Sequence, residues 1–324
     1  MPHHGNTATI LGLAALRGHL WTIYPWLKSL IRCRRHSSAV DWETSVQDAG
    51  RGTIRVRGEI SRYEGADRAV VIVHGLGGSL DSFYCRSAAR RIYNQGWTAL
   101  NLGLRGADLE STDYYHGALT ADVHACVTEL ARDHKRVHVL GFSVGGHIAL
   151  HVARESRNHS LRSVAAISAP LDLTVASEHI DSPKAAFYRR HVLAGCKRVY
   201  AAVAARAAVP TPLAKVLKAR TIHELDSLTV VPRYGFMDTE DYYRLCSVAP
   251  HLERLERPAL YVGARHDPMV PEHLVRPFFP RNNERFEVHV VEHGGHVGFP
   301  RSLDLGLAPR SGLINQVLGF FERT

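Results

Sequence analysis

Hydrophobic positions along this chain switch between two periods. From Thr53 to Ile60 apolar and charged residues alternate, as in an edge or early antiparallel strand with one wet face. Ala69-Val70-Val71-Ile72-Val73 contains no polar position, the pattern of a strand buried on both faces. Runs of the same kind cover 97–102, 137–140, 164–167, 259–262 and 286–291. Helical spacing lies between them. Leu119, Val123, Val127 and Leu130 recur at intervals of four, four and three and mark one helix face, and 146–154 and 313–321 also read as helices. Strands alternating with helices predict a mostly parallel sheet covered on both sides.

The alternation breaks between about 173 and 246. That stretch is helix-rich, with 184–206 heavy in alanine and arginine, and Pro210, Pro212 and Pro232 punctuate it. An insertion there, between the strands at 164–167 and 259–262, would sit over the carboxyl ends of the strands, where open α/β sheets place their sites.

The N-terminus is read separately. The apolar run Ile10–Leu16 is followed by Trp21, Ile23, Tyr24, Trp26, Leu27, Leu30 and Ile31, but Arg17, His19, Pro25 and Lys28 interrupt it. That rules against a transmembrane span. No basic residue precedes the run and no small-x-small site follows it, which argues against a signal peptide. Residues 1–40 are therefore expected to pack on a main domain at 41–324, with Arg32, Arg34 and Arg35 available to a membrane surface.

Composition adds limits more than direction. A chain of 324 residues supports a full core without staples, and 45% apolar with 22% charged residues is ordinary for a globular protein. The five cysteines, Cys33, Cys85, Cys126, Cys196 and Cys246, are scattered and form no CxxC pair, so neither a disulfide framework nor a zinc site is expected. Their usage suits a reducing, cytoplasmic setting. Net charge is +9, yet the basic residues form no stripe interleaved with aromatics, so no nucleic-acid partner is expected. Contact with anionic headgroups stays open.

Chemistry enters at Gly141-Phe142-Ser143-Val144-Gly145. Three fixed positions recur by chance too often to stand alone, so context decides. Here the pentapeptide follows the strand at 137–140 and opens a helix, the setting of a nucleophile elbow with Ser143 at its apex. The helix N-terminus behind it favours a developing negative charge. The N–H of Val144 is one expected oxyanion donor. The second is expected from His74-Gly75-Leu76-Gly77-Gly78-Ser79, after the strand at 69–73, most simply from Leu76. A general base should follow the last strand. His296, in Gly294-Gly295-His296, can be carried back towards Ser143 by its flanking glycines, and His293 is the weaker rival. The acid should follow the penultimate strand, where Asp267 stands; Asp172, after the strand at 164–167, is its rival. The chain order serine, aspartate, histidine is that of α/β hydrolases. No metal or organic cofactor is required for such chemistry.

These segments together resemble the YheT-like branch of the α/β hydrolases. The resemblance is carried by Gly141–Gly146, the loop 74–79, Asn101-Leu102-Gly103-Leu104-Arg105-Gly106, His296 in Gly-Gly-His-Val-Gly-Phe, Gly18–Pro25 and Gly235–Tyr243. It implies an α/β-hydrolase fold with a mostly parallel eight-stranded sheet, helices on both faces and a helical cap at 173–246. It further implies that the N-terminal segment belongs to the domain and that Ser143, Asp267 and His296 act together in an esterase or lipase-like activity. Two departures stand out. Gly106 leads into Ala107-Asp108-Leu109-Glu110 rather than further small residues, and His266 replaces an acidic residue before Asp267. The Arg105 loop is accordingly a candidate for tuning the substrate. Cap residues Phe187, Tyr188, Leu193, Val199, Tyr200, Leu213 and Leu217 could select acyl chains or simply pack on the core.

The expected function is hydrolysis of a small-molecule or lipid carboxylic ester. The same residues could transfer the acyl group to an alcohol, and a catalytically silent binding protein would keep the fold but need not keep all three positions.

Overall fold

The computed structural model describes residues 16–24 and 35–324. The apolar run Ile10–Leu16, apart from Leu16, and the stretch 25–34 with Arg32, Cys33 and Arg34 lie outside them. An eight-stranded sheet forms the centre, with strands β1 (Val40–Asp48), β2 (Gly52–Ser61), β3 (Arg68–Val73), β4 (Thr98–Gly103), β5 (Arg136–Phe142), β6 (Leu161–Ile167), β7 (Ala259–Ala264) and β8 (Phe286–Val291). Their order is β1-β2-β4-β3-β5-β6-β7-β8. β2 pairs antiparallel with both β1 and β4, and every pairing beyond β4 is parallel.

β3 shows why an uninterrupted apolar run was needed. Val70 and Ile72 face the side covered by α2 (Phe83–Asn94) and α12 (Leu313–Arg323), where Ile92, Val317 and Phe321 pack. Val71 and Val73 face the opposite side, against α3 (Ala121–Leu130) and α4 (Val144–Glu155), with Val123, Val127, Ile148 and Val152. Period-two alternation across a sheet with helices on both faces leaves no solvent position. Of the four residues expected on one face of α3, Val123, Val127 and Leu130 are buried, while Leu119 precedes the first turn and packs at its edge.

Between β6 and β7 the chain builds α5 (Leu173–Asp181), α6 (Ala186–Ala204), α7 (Leu213–Val216), α8 (Ile222–Leu228), α9 (Val230–Tyr234) and α10 (Thr239–Cys246). They carry two small cores of their own. One gathers Val192, Tyr200 and Ile222 around Tyr114 of the loop after β4, and the other is centred on Leu173, Tyr242 and Tyr243. A short helix, α11 (Glu272–Val275), follows β7. Residues 16–24 form a helix, α1, which packs against the loops after β7 and β8. Among the described residues no helix is long and apolar enough to cross a membrane.

Candidate active site

Ser143 sits at the joint between β5 and α4 with φ 54° and ψ −124°, a backbone region that costs a non-glycine residue on the order of 1–3 kcal/mol. Its N–H donates to the Ile167 carbonyl at 2.8 Å, which ties the turn to β6. The tightness of the turn explains its glycines. A Cβ at Gly141 would lie 2.1 Å from the Gly145 carbonyl oxygen, and one at Gly145 would lie 2.4 Å from that of Val73. Neither carbonyl can swing aside, because both belong to core backbone.

The loop after β3 faces this turn, and a Cβ at Gly75 would come within 3.0 Å of the Ser143 Cβ. Its amides are largely committed. Gly75 N–H donates to the Tyr84 hydroxyl, Gly77 N–H to the Tyr115 hydroxyl and Gly78 N–H to the Gly75 carbonyl. Among the described residues the amides of Leu76 and Val144 have no such partner. Buried N–H groups seldom stay unpaired, so these two are available to an acceptor entering the site. His74 steadies the loop from beneath. Its Nε2 accepts from the Leu104 amide, so the proton is on Nδ1, which donates to the Gly75 carbonyl. Burial pushes its pKa down to about 4, which keeps the ring neutral.

Asp267 and His296 come together across the ends of β7 and β8. The His296 Nδ1–H donates to the carboxylate, 3.0 Å from Oδ2 and 3.2 Å from Oδ1, which puts the ring's lone pair on Nε2. Burial alone would raise the Asp267 pKa. The imidazole of His296 and the amides of Val270 and Met269 outweigh that and hold it below the usual carboxylate range. Directly after His296, β-branched Val297 adopts φ 54°, a second strained residue beside the first.

Ser143, Val144, Leu76 and His296 all line one cavity of about 640 Å³. Leu173, Val192, Leu225 and Met269 give it apolar walls, and Tyr114, Tyr115 and His116 from the loop after β4 close one side. Of the cap residues singled out in the sequence, Phe187, Tyr188, Val199 and Tyr200 line the cavity. Leu193 and Leu213 pack within the cap, and Leu217 is exposed. The cap rests on the loop after β3 through glycines. A Cβ at Gly195 of α6 would sit 2.2 Å from the Gly77 carbonyl oxygen, and one at Gly77 would sit 2.7 Å from that of Val192.

The two rivals lie elsewhere. His293 is exposed and does not line the cavity, and Asp172 caps α5 by accepting from the Val175 amide at 3.0 Å. Arg105 itself lies outside the cavity. It is 1% exposed and turned away from the cavity into an ionic cluster with Asp48 at 2.7 Å, Asp113 at 3.0 Å and Asp122 at 2.7 Å, with Arg233 bridging Asp48 and Asp113. Its work is to clamp the loop after β4 to β1, α3 and α9. The same loop reaches the cavity through Tyr114, Tyr115 and His116.

Sequence reasoning did not find Asp226 of α8, which lines the cavity at 8% exposure and accepts from the Tyr243 hydroxyl at 2.8 Å. Burial, reinforced by Asp181, pushes its pKa up to about 7 against the pull of Tyr243 and His223. Nothing local in Glu224-Leu225-Asp226-Ser227 distinguishes it from an exposed helical acid.

The α/β hydrolase fold family matches residues 68–301, about three-quarters of the chain. The chain belongs to this family, within its YheT-like branch. It is 32% identical over 240 residues to the Escherichia coli (strain K12) protein YheT, named as a candidate esterase, covering 71% of this chain and 70% of that one. It is 24% identical over 244 residues to the monoacylglycerol lipase of Saccharomyces cerevisiae, covering 71% of this chain and 54% of the lipase. Among solved structures, the α/β hydrolase GrgF from Penicillium sp. sh18 superposes with a TM-score of 0.57 at 17% identity, over 88% of this chain and 98% of that one.

Proposed function

We propose that the protein is a carboxylic-ester hydrolase in which Ser143, His296 and Asp267 form the catalytic triad and the substrate is a lipid-like ester. The observation that carries this reading is the convergence on one apolar cavity of a strained serine, a histidine already oriented by a buried carboxylate, and two unpartnered amides. The esterase and lipase names of the relatives point the same way.

In this mechanism Nε2 of His296 removes the Ser143 hydroxyl proton as Oγ attacks the ester carbonyl. The carbonyl oxygen takes up the negative charge and accepts from the Leu76 and Val144 amides. Collapse of the tetrahedral intermediate expels the alcohol, which leaves with the proton held by His296. A water then repeats the sequence on the acyl-enzyme, and the carboxylic acid departs. Asp267 stabilises the imidazolium formed in each half.

The cavity's apolar walls suit an acyl chain, and its volume falls within the range of sites that enclose a whole small ligand. Access from a lipid surface is supported by Leu16, Leu20 and Tyr24, spaced at i, i+4 and i+8 along α1 and 56%, 59% and 61% exposed, and by Phe187, 61% exposed at the cavity. The thiols of Cys85, Cys126, Cys196 and Cys246 suit a cytoplasmic setting.

A fluorophosphonate probe tests the assignment. Wild type should label and Ser143→Ala should not. Equal labelling of the two, or no labelling of either, refutes the catalytic reading. Wild type should also release acid from p-nitrophenyl esters and monoacylglycerol, and ester formation in the presence of a competing alcohol would mark the enzyme as an acyltransferase.

A further inference from the structure

One turn of α1 touches both loops that deliver the acid and the base. At Gly18 the approach to the acid loop is so close that a Cβ would lie 1.9 Å from the His266 carbonyl oxygen, one residue before Asp267. On the other side a Cβ at Gly295, one residue before His296, would lie 2.3 Å from the Gly18 carbonyl oxygen and 2.5 Å from the Thr22 Oγ1. Each contact exists only because the residue lacks a side chain.

Between these glycine seats Thr22 makes a directional link. Its hydroxyl donates to the Gly18 carbonyl at 2.9 Å, the back-bond a helical threonine commonly makes. With its single proton spent there, Oγ1 is left to accept, and the His296 main-chain N–H donates to it at 2.8 Å. The link joins residues 274 positions apart. A third contact continues outwards, from His19 Nδ1 to the Tyr188 hydroxyl of the cap at 2.7 Å.

We propose that Thr22 is a positioning residue: its hydroxyl, held by one rigid helical turn seated on the acid loop, fixes the backbone of His296 and so sets the imidazole relative to both Asp267 and Ser143. The helix serves as a spacer. It holds the loops after β7 and β8 at a constant separation, and the Gly18–Thr22 interval, about 6 Å of helix, is the rule that measures it. Loops of this kind otherwise fluctuate independently, and a displacement of about 1 Å at a catalytic group can cost about a hundredfold in rate.

This inference rests on the catalytic assignment above, and the experiment separates the two. In the full-length chain, Thr22→Val keeps the shape and removes the hydroxyl, Thr22→Ala removes the hydroxyl without steric demand, and Thr22→Ser restores it. Steady-state hydrolysis of a p-nitrophenyl ester and the rate of fluorophosphonate labelling are read beside melting temperature, with Ser143→Ala as control. Thr22→Val and Thr22→Ala should lower kcat about tenfold or more, leave KM within about twofold and slow labelling in proportion, while Thr22→Ser stays near wild type. Should Thr22→Val fold poorly, Thr22→Ala and Thr22→Ser carry the comparison. Wild-type kcat in the variants lacking the hydroxyl overturns the proposal, as does a Thr22→Ser as slow as Thr22→Ala, or a loss confined to KM. Equal labelling of Ser143→Ala and wild type would instead remove the catalytic assignment itself.

Discussion

Replacing Asp226 by asparagine should make the protein more stable at alkaline pH and leave it unchanged at acid pH. The carboxyl is 8% exposed and faces a largely apolar cavity, with the Tyr243 hydroxyl donating to Oδ2. Burial lifts its pKa from the ordinary 3.8 to about 7. A raised carboxyl pKa means that the folded state holds the proton more tightly than the unfolded chain. Stability from this group is therefore highest below about pH 4, falls as pH rises through the window from 4 to 7, and is level above it. At about 1.4 kcal/mol per decade, the rise from 3.8 to about 7 gives a ceiling of about 4 kcal/mol above pH 7. Asparagine keeps an acceptor for Tyr243 and carries no charge, so Asp226→Asn should recover part of that cost. Urea unfolding at pH 4 and pH 8 measures it. The expected result is a gain of about 1 kcal/mol or more at pH 8, with no gain at pH 4. Equal stability at pH 8, or a loss at both pH values, would show that the carboxylate is solvated or paired in solution and that the cavity wall is not dry at this point.

Asp267 has the opposite sign. Held below the usual carboxylate range, it contributes stability that is present above about pH 4 and lost as pH falls through its lowered pKa. Asp267→Asn should flatten that acid limb in urea unfolding and lower kcat by about a thousandfold or more, because His296 loses the partner that fixes its Nδ1 proton; kcat within tenfold of wild type would show that another group orients the imidazole. Gly145→Ala should destabilise the fold by about 3 kcal/mol, at the upper end of overpacking costs, since its Cβ would press on the carbonyls of Val73 and His74. Thermal or urea unfolding reads this directly, and a variant within 1 kcal/mol of wild type would mean that the elbow has more room than its geometry implies.

How far the sequence was legible depended on the reach of each interaction. The elbow could be read because strand, glycines, serine and helix are close neighbours in the sequence, and of the seven strands anticipated six had dense apolar runs and one, at 53–60, a regular alternation. β1 was missed because Val40–Asp48 is two-thirds polar and largely exposed; Trp42 is its only buried side chain, with Val46 packed against the same core. In the cap, periodicity marked which helix faces were apolar but could not tell whether Leu193 or Val199 would meet the cavity, since that depends on how the helices dock on one another. Arg105 looked like a loop residue near the site, and only the arrival of Asp48, Asp113 and Asp122 from separate elements made it structural. Thr22 stood within the Gly18–Pro25 motif, but nothing there pointed to a contact with a residue 274 positions away, and Asp226 carried no signal in its own neighbourhood.

The glycine contact between α6 and the loop after β3 bears on how such a protein can be recombined. Because Gly195 and Gly77 meet backbone to backbone, the cap and that loop are complementary halves of one joint. A cap grafted from a relative would inherit the helices but not the joint, unless a residue without a side chain arrived at the position of Gly195. In lineages that diversify their caps by insertion or exchange, the part of α6 around Gly195 must travel together with the segment His74–Ser79, and α9 is held in addition by the pairing of Arg233 with Asp48 and Asp113.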